Sequence, residues 1–245
     1  MPEWRQLPLG FRFPEGKTFA SFVTVPANEA TVATLERWVN SATPGVFFLA
    51  GPAHSGRTHL LQAAAAQRLA RDGGARVWLL PLAELAEAGL DPVEVTDGLE
   101  QAELLCLDDI DAVVTDSAWC EALFHLFNRL QQRGGQLLVS ATMAPAALPC
   151  RLPDLQSRLG WGGCYRLEPL DDAGRHALLT ELATRRGLQL AEGVPSYILT
   201  RFSRDSADLV NLVEKLDNFS LVTKRRITIA LVRQLADSSI DGASS

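Results

Sequence analysis

The sequence predicts an α/β fold: a parallel sheet with helices on both faces, followed by a small α-helical domain. Three observations carry that prediction. Short apolar runs at Val46–Ala50, Arg76–Leu80, Leu104–Leu107 and Gln136–Ser140 alternate with helical segments, the texture of parallel strands buried on both faces. A glycine-framed octet joins the first run to a helix. From Pro169 onward no strand pattern recurs and helical periodicity takes over.

The octet is Gly51, Pro52, Ala53, His54, Ser55, Gly56, Arg57 and Thr58, with an Ala- and Leu-rich helix from His59 to Arg71 behind it. Its spacing is that of a P-loop, G-x-x-x-x-G-[basic]-[ST]. Glycines let backbone N–H groups approach phosphate oxygens, and the helix start adds free amides and a favourable dipole. Thr58 supplies the hydroxyl that sits on Mg²⁺. The usual lysine is Arg57, a planar fork in place of a point charge. Nucleotide binding is therefore expected, with poor hydrolysis. An ordinary glycine turn between strand and helix would use the same residues.

Composition narrows the function classes. The chain has 245 residues, 47% hydrophobic and 21% charged, which suits a folded chain of one large or two modest domains. A net charge of −6 argues against a general nucleic-acid binder. No apolar run reaches membrane-spanning length, and the N-terminus lacks the basic and apolar stretches of a signal peptide. Cys106, Cys120, Cys150 and Cys164 show no C-x-x-C spacing, so reduced thiols in a cytoplasmic protein are expected. The histidines form no zinc motif.

Taken in order, residues 1–17 read as an exposed tail. Gln6-Leu-Pro-Leu-Gly-Phe11 is apolar and broken by Pro and Gly, so it cannot be a helix interior. The pattern resembles the hexapeptide with which bacterial replication proteins bind the sliding clamp. Gln6 would be the polar anchor, and Leu7, Leu9 and Phe11 would fill an apolar pocket. A tail folded back on its own domain would look the same. Residues 18–168 form the sheet domain. Thr18–Phe22 leads into a helix over Asn28–Asn40 with Leu35, Trp38 and Val39 on one face. Leu82–Ala88 reads as a helix, Gly89–Thr96 as a loop or helix start, and Leu99–Glu103 as a helix tail. An amphipathic helix over Asp116–Gln132 aligns Trp119, Leu123, Leu126, Phe127 and Leu130. Residues 169–237 give about four helices, at Asp172–Arg186, Pro195–Phe202, Ser206–Phe219 and Thr228–Ala236. Residues 238–245 form a polar, frayed tail.

Leu104-Leu-Cys-Leu-Asp108-Asp109 is the second informative stretch. Two acids follow an apolar strand, at the edge where ligands sit in open α/β sheets. In a Walker B reading Asp108 holds Mg²⁺ and Asp109 orients an attacking water. A helix cap at Asp109 or Asp111 is the alternative. Thr142, at the polar exit of the Gln136–Ser140 strand, stands where this class places a residue near the γ-phosphate, and would equally start a turn.

P-loop, acidic strand end, polar strand exit and helical lid together resemble the AAA+ ATPases, and within them the DnaA-related family with its Hda-like members. The most specific carriers are Thr18-Phe-Ala-Ser-Phe22, Leu107-Asp-Asp-Ile-Asp111, Ala122-Leu-Phe-His-Leu-Phe-Asn128 and Leu152-Pro-Asp-Leu-Gln-Ser-Arg-Leu-Gly-Trp-Gly162. Coverage runs from about Gln6 to about Leu235, and Hda-like proteins carry a clamp-binding segment where Gln6–Phe11 stands. DnaA continues into a helix-turn-helix domain. This sequence stops before one, so direct sequence-specific DNA binding is not expected.

The resemblance implies a mechanism. Hda-like proteins sit on the β sliding clamp of DNA polymerase III with ADP in their own site, or ATP, with Mg²⁺. They press an arginine against ATP bound to DnaA, and thereby restrain replication initiation. Arg158 occupies that arginine-finger position; an Arg paired to Asp154 on a helix surface is the alternative. The family's lid arginine falls at Ala207, with Arg204 one turn earlier as a substitute. The rival readings are an autonomous ATPase of helicase-loader type and a nucleotide-binding adaptor without a finger. The resemblance leaves a homodimer open.

Overall fold

The computed structural model describes residues 17–41, 43–202, 206–223 and 226–234. Gln6, Leu7, Leu9, Phe11 and Arg204 lie outside the described residues, as does the 238–245 tail. The chain divides into two compact units, Met1–Pro169 and Leu170–Ser245.

In the first unit, α1 (Glu29–Ser41), β1 (Gly45–Ala50), α2 (Arg57–Arg71), β2 (Val77–Pro81), α3 (Leu82–Glu87) and α4 (Pro92–Thr96) come first. They are followed by β3 (Leu104–Asp108), α5 (Ser117–Gln132), β4 (Gln136–Ala141), α6 (Pro153–Leu159) and β5 (Gly163–Arg166). The strands form one parallel sheet in the order β2-β3-β4-β1-β5.

Strand periodicity splits the core in two. Val46 and Phe48 of β1, Leu105 and Leu107 of β3, and Leu137 and Val139 of β4 face Leu123, Leu126 and Phe127 of α5 and Leu155 of α6. Phe47, Leu49, Leu104, Cys106 and Leu138 face the other way, onto Leu35 and Val39 of α1 and Leu60, Leu61 and Ala64 of α2. Helices therefore cover both faces, and the apolar runs carry no clean alternation because both sides are dry. Local chemistry sets the helix starts. Asp116 caps α5 by accepting from the N–H groups of Ala118 and Trp119, and Asp91 caps α4 through Val93 and Glu94.

Three expectations need correction. The expected helix from Asn28 begins as a 3₁₀ turn over Pro26–Asn28, and regular helix starts at Glu29. Leu99–Glu103 is no helix tail but a 3₁₀ turn, Leu99–Gln101, entered through Gly98 at φ 78°. Strand β5 has no counterpart among the apolar runs of the sequence. Its residues, Gly-Cys-Tyr-Arg, are mostly exposed and lack an apolar run, because an edge strand pairs on one side only. Tyr165 stacks on Phe47 with ring centroids 4.1 Å apart, which ties β5 to the sheet. Just before it, Gly162 lies so close to β1 that a Cβ would run into the Val46 carbonyl.

The second unit packs α7 (Asp172–Arg185), α8 (Val194–Arg201) and α9 (Ser206–Thr223) with a helical stretch at 229–234. Its core is Leu179, Val194, Ile198, Leu209, Val213, Leu216, Ile227 and Val232. Leu190, between α7 and α8, and Ile227, after α9, form a parallel bridge.

Candidate nucleotide site

The P-loop leaves β1 at Gly51 and enters α2 at Arg57. Two residues in it have left-handed backbone, His54 at φ 60° and Gly56 at φ 96°. Gly56 is the N-cap of α2 and has Phe22 against it; a Cβ would come within 2.6 Å of the Phe22 ring. A Cβ on Gly51 would meet Ser55 Oγ at 2.7 Å and the Leu167 carbonyl at 2.9 Å. Both glycines are therefore required by close approach. The Thr18–Phe22 segment lies on the same helix start: His59 Nε2 is 3.0 Å from Ser21 Oγ and 3.1 Å from the Thr18 carbonyl.

Arg57 is buried, 8% exposed. Its Nη1 donates to the Gly51 carbonyl and its Nη2 lies 2.5 Å from Asp109 Oδ1. The guanidinium thus spans the base of the loop and reaches the end of β3. Its Nε and Ser55 Oγ are buried polar atoms with no protein partner. Beside the start of α2, such orphaned donors fit the oxygens of a phosphate group.

At the end of β3, Asp108 is 4% exposed and accepts from Ser140 Oγ at 2.5 Å. Burial pushes its carboxyl above the usual range, and hydrogen bonds from Ser140 and Thr58 oppose the shift. Asp109 then turns into the left-handed region at φ 53°, its N–H donating to the same Ser140 Oγ at 2.9 Å. Thr58 and Asp108 are thereby brought together, a hydroxyl and a carboxylate that would hold Mg²⁺. When bound, the ion would neutralise phosphate charge. Among the described residues no group of three His, Cys, Asp or Glu could hold a metal by itself.

Other expected residues fall differently. The Asp109 carboxylate is joined to Arg57 and is not held out toward a water. Thr142 Oγ1 donates to Asp111 Oδ2 at 2.5 Å, joining the exit of β4 to the 3₁₀ turn Ile110–Ala112; Asp109 is the N-cap of that turn but makes no side-chain cap bond. Pro52, Ala53 and His54, like Thr58, are exposed. Ser140 went unnoticed as a site residue. The only sign of it was a hydroxyl closing an apolar run, where the structure buries it completely.

Arg158 lies on α6, away from its expected alternative partner Asp154. Its guanidinium carbon sits 4.1 Å from the Phe124 ring centroid, 5.6 Å from that of Trp161 and 5.9 Å from that of Phe127. The side chain is half-buried, with Nη1 buried and unpartnered, while Trp161 beside it is 60% exposed.

Sheet order, P-loop and acidic strand end define an AAA+ nucleotide-binding protein with a helical lid. Residues 14–165 match the family model of the bacterial DnaA ATPase domain, and residues 172–235 match that of the Hda lid domain. The chain belongs to the DnaA-related AAA+ family, joining a DnaA-type ATPase domain to an Hda-type lid. Among solved structures it is similar to domain III of Thermotoga maritima DnaA, with a TM-score of 0.78 at 21% identity, covering 91% of this chain and 96% of that one. AMPPCP-bound DnaA from Aquifex aeolicus aligns with a TM-score of 0.68 at 22% identity, over 83% of this chain and 66% of that one. The Thermotoga maritima Holliday-junction branch-migration motor RuvB aligns with a TM-score of 0.66 at 16% identity, over 93% and 73%. These likenesses establish the fold, and this chain spans just under two thirds of the Aquifex protein. No helix among the described residues is long and apolar enough to cross a membrane.

Proposed function

We propose that this protein is a negative regulator of replication initiation that holds ADP and, tethered to the β sliding clamp, stimulates hydrolysis of ATP bound to DnaA through Arg158. The observation that carries the reading is the setting of Arg158. The half-buried guanidinium of Arg158 stacks on Phe124 beside the exposed Trp161, with Nη1 buried, and pairs with no acid among the described residues. An arginine left without an acidic partner supports the reading that it neutralises charge on a phosphoryl group that a neighbour presents. In this reading the protein's own site serves to bind. Arg57 holds Asp109, the acid that would otherwise orient water, and Thr58 and Asp108 hold Mg²⁺ on the bound nucleotide. The clamp tether is assigned to Gln6, Leu7, Leu9 and Phe11 on the sequence pattern alone.

The test is a hydrolysis assay of DnaA-bound ATP with clamp, DNA and this protein. Wild type accelerates the reaction. Arg158→Ala and Arg158→Lys do not, because a point charge cannot replace the fork. Full stimulation by Arg158→Lys, or brisk ATP turnover by this chain alone, overturns the reading. Loss of clamp capture by Gln6→Ala and Phe11→Ala tests the tether separately.

A further inference from the structure

The sheet domain contains a pair of thiols that the nucleotide site does not use. Cys120, on α5, is almost fully buried, and Cys150, in the loop that leads into α6, is half-buried. Their sulfurs lie 4.0 Å apart. Cys120 Sγ donates to the Val114 carbonyl at 3.1 Å and Cys150 Sγ to the Leu152 carbonyl at 3.3 Å. The neighbouring Arg151 N–H also bonds the Val114 carbonyl, at 2.9 Å, so the two segments are already held together beside the thiols. Closing the gap to a bond of about 2.05 Å takes side-chain rotation and a small shift of an irregular loop. Cys106 and Cys164 have no such partner among the described residues.

We infer that Cys120 and Cys150 are a reversible oxidation site, forming a disulfide that clamps the loop before α6 onto α5. The oxidant is a peroxide. The Cys150 thiolate, nearer to solvent, attacks one peroxide oxygen; the O–O bond breaks, and the leaving hydroxide takes up a proton and departs as water, giving a sulfenic acid. Cys120 sulfur then attacks Cys150 sulfur. The S–O bond breaks, the Cys120 proton goes to the leaving oxygen, and a second water departs as the S–S bond forms. The two thiols lose two electrons and the peroxide gains them. Burial, reinforced by Cys150, pushes the Cys120 thiol up to about 11, which suits the second step better than the first. The bridge would join the helix that carries Phe124 to the segment that positions Arg158.

The experiment exposes the reduced full-length chain to hydrogen peroxide, counts thiols after denaturation and maps non-reduced peptides. Two of the four thiols are expected to disappear, with a mass lower by two hydrogen atoms, a peptide linking Cys120 to Cys150, and full reversal by a thiol reductant. Cys150→Ala, at a half-buried loop position, retains its three thiols, whereas Cys120→Ala leaves Cys150 as an unresolved sulfenic acid, trapped by dimedone, with no cross-linked peptide. Retention of all four thiols, a sulfinic Cys150 beside an intact Cys120, or a link through Cys106 or Cys164 overturns the inference.

Discussion

Arg57 Nη2 lies 2.5 Å from Asp109 Oδ1, so the cation of the P-loop and the second acid of β3 form one ion pair. Arg57 stands where a P-loop usually has Lys, and Asp109 is the acid that a Walker B reading would assign to the attacking water. The longer side chain reaches the shorter one, while its other nitrogen holds the Gly51 carbonyl. The pair joins the start of α2 to the end of β3 across the loop base. Because Asp109 is 39% exposed, solvent screens the pair. A double-mutant cycle with Arg57→Met and Asp109→Ala, read by urea unfolding, should give a coupling of roughly 0.5–1 kcal/mol. Additive effects would show that the two groups do not meet in solution.

Asp108 is a buried carboxylate whose charged form is disfavoured by burial. Asp108→Asn keeps an acceptor for Ser140 and removes the desolvated charge, so the nucleotide-free protein should gain on the order of 1 kcal/mol at neutral pH. Under the proposed function, wild type should gain stability from Mg²⁺ with ADP, and the same variant should lose that gain. Thermal melts with and without Mg²⁺–ADP check both halves; a lower melting temperature in the nucleotide-free variant contradicts the first.

Arg158 gains from the Phe124 ring, a contact worth roughly 0.5–2 kcal/mol, but leaves Nη1 without a partner, at a cost of about 1–3 kcal/mol. The two nearly cancel. Arg158→Ala should therefore change unfolding stability by no more than about 1 kcal/mol, whereas under the proposed function the stimulation of DnaA-bound ATP hydrolysis should fall by on the order of 10³. Equal losses of stability and of stimulation would assign Arg158 a structural role.

Two glycines close together provide a control on packing. At Gly162 an added Cβ meets the backbone of Val46, whereas at Gly160 its nearest neighbour is the Ser157 carbonyl at 3.3 Å. Gly162→Ala should cost about 1–3 kcal/mol or more, and Gly160→Ala distinctly less. Chemical denaturation of the two variants side by side decides this, and equal midpoints would be the contrary outcome.

The buried thiols make stability pH-dependent on the alkaline side. Burial raises Cys106 and Cys120 above the ordinary 9.0, Cys120 to about 11. Between these values the folded chain keeps a proton that the unfolded chain has lost, so stability falls as pH rises from 9 toward 11. Each thiol adds at most about 1.4 kcal/mol per pH unit. Melting curves of Cys120→Ala should decline less steeply than wild type over this window, and parallel declines would count against it.

The central strands were legible because a strand covered on both faces must be apolar throughout, as Val46–Ala50 and Leu104–Leu107 are. Strand β5 was not, because an exposed edge imposes no such composition; what holds it is Tyr165 on Phe47, a contact between residues 118 positions apart in the chain (165 − 47). In the site, the P-loop spacing and the paired acids could be read directly, since both depend on local backbone geometry. The partners of those residues could not. Arg158 has an acid four residues earlier in sequence, but in space it faces Phe124 on another helix. Asp109 belonged to a familiar pattern, and only the fold shows it taken up by Arg57.

Ser140 bears on any attempt to graft this site elsewhere. Its single hydroxyl fixes the Asp108 carboxylate and the Asp109 amide at once, from the neighbouring strand. Transplanting the Leu104–Asp109 segment alone into a related scaffold would carry both acids and lose the peg that spreads them. A working chimera has to import the two adjacent strands as a unit, with Leu107 opposite Val139 and Ser140 at the next step.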